Sequence, residues 1–203
     1  DVIPASIKTV FFGMAIGLVG CYKGYHTMKG TEGVGLSANA AVVSDYRFRG
    51  VSLSGGDPAL QGGIDLGHSS GVFAGAWGST LDDDTAGLGH GELDFYAGWS
   101  GPVAEGITAT VGAIVYLYPD AGPGDFDYVE AYGSLRATLG PADATLGIAY
   151  APKQDSLGGG DNLYLYTDLG AGLPGTPVSL SAHLGYTDGF LTYTADGDAF
   201  DWS

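Results

Sequence analysis

From Leu36 onward, hydrophobic and polar residues alternate with a period of two along most of the chain, the signature of half-buried β-strands. In the first run Ala38, Ala40, Val42, Tyr46 and Phe48 share one parity, and Ser37, Asn39, Asp45, Arg47 and Arg49 share the other. The pattern is clearest mid-chain. There Val129, Ala131, Gly133, Leu135, Ala137 and Leu139 oppose Tyr128, Glu130, Tyr132, Ser134, Arg136 and Thr138. Turn signals divide the rest into strands predicted near residues 58–68, 71–80, 91–100, 106–118, 127–139, 142–151, 161–173 and 177–187, which with the first make nine.

The connections alternate in length. Short turns fall at Ser69-Ser70, 101–105, Gly140-Pro141 and 174–176, and longer polar loops at 50–57, 81–90, 119–126, 152–160 and after Thr187. A transmembrane meander has this order, with tight periplasmic turns and longer outer loops, whereas a soluble sandwich has no reason to keep it. The expected fold is all-β: an antiparallel up-and-down transmembrane β-barrel in residues 37–203. Tyr46, Phe48, Tyr150 and Tyr186 fall on the apolar parity near outer strand ends and Trp99 near an inner end, as interface girdles would require. After a loop at 188–200, Asp201-Trp202-Ser203 reads as the start of a tenth strand. The barrel is therefore expected to be C-terminally truncated and incompletely closed, with its first and ninth strands unpaired.

The parity opposite the apolar one carries the charge: Asp45, Arg47, Arg49, Asp65, Glu92, Asp94, Glu130, Arg136, Asp143, Asp168 and His183. In a soluble sandwich these would face water. In a barrel they line the lumen, where charges must pair or be hydrated. Three arginines against seven acids make such a lumen cation-favouring. Across the Gly140-Pro141 turn, pairing Leu139 with Ala142 would set Arg136 diagonal to Asp143, within reach of its carboxylate.

Composition sharpens this picture at two points. The 203 residues carry 37 glycines and 24 aromatics at a net charge of −16, and nothing in so acidic a chain could neutralise a row of phosphates, which excludes nucleic acid. The charge is also uneven: residues 1–36 sum to +1 and residues 37–203 to −17. Cys21 is alone, so no intrachain disulfide forms. Enzyme signatures such as GxSxG, HExxH or a P-loop do not occur, and His68, His90 and His183 lack a Ser or carboxylate at motif spacing, so no catalytic residue is assigned. Asp82-Asp83-Asp84 and the Asp120, Asp125, Asp127 loop could offer oxygen ligands, but solvated acidic loops account for them better. The single GGGDNLYLY stretch from Gly158 falls short of the stacked repeats that a calcium-binding β-roll needs. No metal or cofactor is expected.

The stretch SDYRFRGVSLSGGDPALQGG, from Ser44 to Gly63, closely resembles the opening of the TorF-like porins, a proteobacterial family of outer-membrane β-barrels, and the resemblance extends over residues 37–203. It implies a bacterial outer-membrane location, with membrane lipid and small solutes or cations as partners. Residues 1–36 differ. IGLVGCYKGYHTMKGTEGVG resembles the C-terminal tail of the permease subunit of the phospholipid ABC transporter, and the two resemblances meet near 38–43. The run 10–19 is too short to span a bilayer, which takes about 20 apolar residues, and 1–36 is expected to be a short helical leader. Leu18-Val19-Gly20-Cys21 also fits a lipoprotein box, though such short boxes arise by chance. The expected function is a small-solute porin or channel, not an enzyme. The alternatives are a soluble periplasmic or extracellular ligand-binding β-domain, or a fragment associated with phospholipid transport.

Overall fold

The computed structural model describes residues 26–29, 33–124, 126–173, 175–176, 178–192 and 198–203. The alternating runs become β1 (His26–Lys29), β2 (Val34–Val43), β5 (Ala59–His68), β6 (Val72–Thr80), β7 (Gly91–Ala104), β8 (Ile107–Leu117), β9 (Tyr128–Leu139), β10 (Ala142–Ala151), β11 (Asn162–Gly172), β12 (Ser179–Gly189) and β13 (Asp198–Trp202). Between β2 and β5 lie two short strands that pair only with each other, β3 (Arg47–Phe48) and β4 (Val51–Ser52). One helical turn, α1 (Asp83–Ala86), sits in the loop after β6. The long strands form one antiparallel sheet of eleven in the order β1-β2-β5-β6-β7-β8-β9-β10-β11-β12-β13. Every neighbour in that order is a sequence neighbour apart from the β3–β4 excursion, so the sheet is an up-and-down meander.

Connection lengths alternate as expected. Residues 69–71, 105–106 and 140–141 make short turns at one end, and 44–58, 81–90 and 152–161 make long connections at the other. Among the described residues the two edge strands are not paired with each other: β1 pairs with β2, β13 with β12, and residues 38–48 do not pair with 178–186. The barrel is incompletely closed.

Parity sets exposure throughout. Val111, Ala113, Leu135, Leu146, Ile148, Leu165 and Leu180 point away from the interior and are exposed, while Thr110, Tyr132, Arg136 and Asp168 point into it. A soluble sandwich would show the reverse, with aliphatic side chains filling the enclosed face. Here the enclosed face is rich in tyrosines, acids and glycines, with Phe73, Trp77 and Ile114 among them, and Leu60, Ile64, Phe95, Leu169, Leu184 and Phe200 extend the apolar outer face across the sheet.

The glycines and tyrosines are paired across strands. Tyr96 on β7 lies over Gly75 on β6, Tyr132 on β9 over Gly112 on β8, and Tyr166 on β11 over Gly147 on β10. Tyr164 covers Gly185 on β12 in the same way. At each of these glycines a Cβ would collide with the ring. The glycine content therefore makes room for flat rings against the sheet wall, beyond easing curvature.

Several expectations need correction. The first strand does not run on to Arg49 but ends at Val43, because the chain bends at Ser44-Asp45 and folds inward. Tyr46 and Phe48 are thereby removed from the outer girdle: Tyr46 is buried in the interior and Phe48 packs against it. Tyr150 remains exposed, and Tyr186 packs on Phe200 at a centroid distance of 4.9 Å. The turn at 101–105 is shorter than its composition suggests. β7 continues through Pro102 to Ala104, with a register shift between Pro102 and Ala104, a bulge being where a strand tolerates proline. The tenth strand starts at Asp198, three residues before the expected Asp201. Of the expected helical leader, residues 1–25 and 30–32 lie outside the described residues, and His26–Lys29 is a strand paired with β2.

If the tyrosine rings need those glycines, Gly147→Ala should destabilise the protein by about 1–3 kcal/mol, the usual cost of overpacking. Gly170→Ala, where a Cβ meets no atom within 4 Å, should be nearly neutral. Urea unfolding of the two variants in the same detergent checks this, and equal midpoints would remove the argument.

Candidate functional site

The inward bend after β2 builds the site. Phe48, Arg49, Gly50 and Val51 form a two-residue hairpin turn in which Arg49 has φ of 49° and Gly50 φ of 82°. Positive φ at both central residues is what this hairpin class requires. A non-glycine residue in that region carries a cost of about 1–2 kcal/mol. The hairpin is held at its base by backbone bonds: Leu53 N–H donates to the Tyr46 carbonyl at 2.7 Å, and Asp82 N–H to the Leu53 carbonyl at 2.9 Å. Asp45 ties its two arms together, accepting from Ser52 Oγ at 2.6 Å and from Arg47 Nε at 2.6 Å. Burial pushes the Asp45 carboxyl upward, but hydrogen bonds from Ser52, Arg47 and Ser54 outweigh it and hold the group below the usual carboxylate range.

From that base the hairpin reaches strands all around the interior. Tyr46 donates through its hydroxyl to Glu92 Oε2 at 2.8 Å and meets the Trp77 ring edge-on at 5.6 Å. Phe48 meets Tyr116 at 5.7 Å, and Tyr116 stacks on Tyr128 at 4.4 Å. Arg49 Nη2 donates to Glu130 Oε1 at 2.6 Å and Oε2 at 2.7 Å. Its guanidinium carbon lies 4.6 Å from the centre of the Phe48 ring and 4.3 Å from that of Tyr164. A Cβ on Gly50 would stand 2.9 Å from Asp201 Cβ, so the same hairpin touches β13. One short excursion thus contacts β6, β7, β8, β9, β11 and β13, and the sheet must curl around it.

Two further clusters lie towards the turn end. His183 Nδ1 is 2.6 Å from Asp168 Oδ1, and its Nε2 is 3.0 Å from Asp201 Oδ2 and 2.8 Å from the Tyr164 hydroxyl. With a carboxylate at each ring nitrogen, this imidazole is oriented from both sides. Arg136 Nη2 donates to Asp143 Oδ2 at 2.7 Å, and Thr138 Oγ1 to Asp143 Oδ1 at 2.8 Å. The register is the expected one: Leu139 faces Ala142, Thr138 faces Asp143 and Arg136 faces Thr145. The interior is therefore graded. The Glu130 side chain is wholly buried near the loop end, whereas those of Asp168, Arg136 and Asp143 near the turn end are more than a third exposed.

The model of a family described as "Bacterial protein of unknown function (Gcw_chp)" matches residues 27–203. The chain belongs to the Gcw_chp family. A second family model, Permease MlaE, matches residues 1–46. Over 44 residues the chain is 46% identical to a "Probable ABC transporter permease protein" of Rickettsia prowazekii, a match covering 22% of this chain and 17% of that protein. Those of Rickettsia typhi and Rickettsia bellii are each 43% identical over 44 residues with the same coverage. The chain thus spans about a sixth of the length of the curated relatives it matches. The Gcw_chp and permease matches overlap at residues 27–46, where this chain forms β2 and most of β1.

In this Gcw_chp chain most of the residues expected on the inward parity are buried or half-buried. Arg49, Glu92, Asp94 and Glu130 are buried near the loop end; Asp65, which accepts a hydrogen bond from the Tyr96 hydroxyl, Arg136, Asp168 and His183 are half-buried. Arg47 is the exception, its side chain 53% exposed on the outside of the hairpin, and Asp45 serves the hairpin base instead of a lumen wall. Asp201 and Tyr164 were missed as site residues. Their signal was present, since Asp201 alternates with Phe200 and Trp202 and Tyr164 with Leu163 and Leu165. The loop aspartates serve the backbone: Asp83 accepts from Gly89 N–H, Asp120 from His90 N–H and Asp127 from Tyr118 N–H. Asp125 lies outside the described residues.

The two ion pairs should differ sharply in weight. Glu130→Ala strands a buried guanidinium and should cost about 3–5 kcal/mol, whereas Asp143→Ala, breaking a pair more than a third exposed on both sides, should cost about 0–1 kcal/mol. Denaturant midpoints of both variants in one detergent measure the difference.

Proposed function

We propose that the chain forms an outer-membrane β-barrel of the TorF-like kind, which binds small cationic solutes through its periplasmic turn end and is not an enzyme. The observation that carries this is the division of each long strand into an apolar face turned out and an acidic, tyrosine-lined face turned in. Exposed apolar patches on soluble monomers rarely exceed a few hundred Å². An outer face apolar across the whole sheet is suited to hydrocarbon, where the backbone groups of paired strands are satisfied. All long connections gather at one end, as in outer-membrane barrels. Cation preference follows from an interior in which Asp65, Glu92, Asp94, Glu130, Asp143, Asp168 and Asp201 face Arg49, Arg136 and His183. The infolded hairpin fills the loop end, which favours solute binding from the turn side over a permanently open pore.

A second reading, association with phospholipid transport, is supported by the permease match at residues 1–46 alone. Fractionation separates the two. In a Gram-negative host the chain should enter the outer-membrane fraction; recovery with the inner membrane would favour the permease-related reading, and recovery without detergent would overturn both in favour of a soluble domain. In planar bilayers, any openings should prefer cations, and Glu92→Gln with Asp94→Asn should weaken that preference. Leu146→Arg, on the outer face, should cost about 2–4 kcal/mol in vesicles if the residue lies near the bilayer centre.

A further inference from the structure

We propose that the pocket around Glu130 is a guanidinium-binding site, filled in this structure by the chain's own Arg49, and that the small solutes the protein recognises carry a guanidinium group. The geometry is that of a built recognition site. Glu130 is 0% exposed and faces the guanidinium through both carboxylate oxygens at 2.6 and 2.7 Å. Aromatic rings lie 4.6 and 4.3 Å from the guanidinium carbon, and the stacked Tyr116 and Tyr128 add a further aromatic wall. A planar, weakly hydrated cation suits rings and a carboxylate together, whereas a compact ammonium is a point charge that uses them poorly. A metal ion would need several converging oxygens, and no group of three or more His, Cys, Asp or Glu among the described residues could hold one.

The occupant is held by a strained and imperfect fit. Arg49 sits at φ 49°, a backbone region that side chains avoid. Only its Nη2 meets Glu130, and Nη1 is buried without a hydrogen bond among the described residues. The Tyr128 hydroxyl is likewise buried without one. A free guanidinium is not bound to a hairpin and can turn to set two nitrogens against the two carboxylate oxygens, the bidentate arrangement that is strongest for this pair. Arg49 then acts as a tethered pseudo-ligand that a solute displaces. Phe48 leaves with the hairpin, while Tyr164, Tyr116, Tyr128 and Glu130 stay on the sheet.

The cage can be tested apart from transport, although its role in transport rests on the reading above. Methylguanidinium and methylammonium chlorides are titrated at constant ionic strength into the full chain refolded in detergent. In R49A, methylguanidinium should raise the thermal midpoint saturably at about tenfold lower concentration than methylammonium, since only the planar cation uses both rings and carboxylate. E130Q in that background should abolish the difference. If R49A does not fold, the W99F/W202F chain decides. Its remaining Trp77 packs against Tyr46 on the hairpin and should change fluorescence as methylguanidinium displaces Arg49. Equal response to both cations, a response that survives E130Q, or no response in either background overturns the proposal. Silence in planar bilayers would sink the transport reading and leave the cage standing.

Discussion

A carboxylate that keeps its charge out of contact with water needs a partner, and in this protein Glu130 obtains a cation from a hairpin that starts on a different part of the sheet. That requirement organises the interior. Arg49 reaches Glu130 only if Tyr46 and Phe48 turn inward with it, and only if β2 stops at Val43 so that the chain can leave the sheet. The hairpin then contacts six strands, including β13 near one end of the strand order, so the sheet curls around a peg although β1 and β13 do not pair. Closure of the wall and filling of the interior are separate matters here, and the second is achieved without the first.

The wall itself depends on a different rule. An enclosed face lined with large rings leaves no room for Cβ atoms beneath them, which is why Tyr96, Tyr132, Tyr166 and Tyr164 each lie against a glycine of a neighbouring strand. Bare glycine in a strand lacks side-chain packing and exposes backbone; a ring laid over it restores both, as aromatic cover does for glycines in other sheets. Hydroxyls at the ring ends then meet the acids, as Tyr46 and Tyr118 meet Glu92 and Tyr96 meets Asp65. Tyr96 and Tyr164 combine both roles, each covering a glycine and donating to a carboxylate.

Most of the fold was legible because strand alternation and turn length are local signals. Strands β5 to β12 begin and end within a few residues of where parity and turn residues put them, and the Arg136–Asp143 contact follows from register across a two-residue turn. The failure came at residues 44–54, where alternation carries straight on through Ser44-Asp45 although the chain does not. Arg49-Gly50 between Phe48 and Val51 is a short hairpin signal, yet an unbroken parity pattern outweighs it on paper. In space the buried Glu130, 81 residues away in sequence, decides, and no local pattern reports so distant a partner. A shorter separation also hid Asp201, whose parity was readable but whose place beside Tyr164 and His183 depends on β13 lying against β12.

The grading of the interior gives the molecule a direction. At the loop end Glu130 is buried and matched by Arg49, so a cation arriving from that side meets Arg49 and a filled hairpin. At the turn end Asp168 and the Arg136–Asp143 pair remain hydrated, and charges in contact with water can exchange partners cheaply because solvent replaces what a departing partner gave. Also near the loop end, Asp94 is buried with one carboxylate oxygen lacking a hydrogen bond among the described residues. On the reading proposed above, a cation moving inward from the turn end passes from exposed, weakly held sites to drier acids. Each step exchanges water for carboxylate until it reaches Glu130, which the buried Arg49 already occupies.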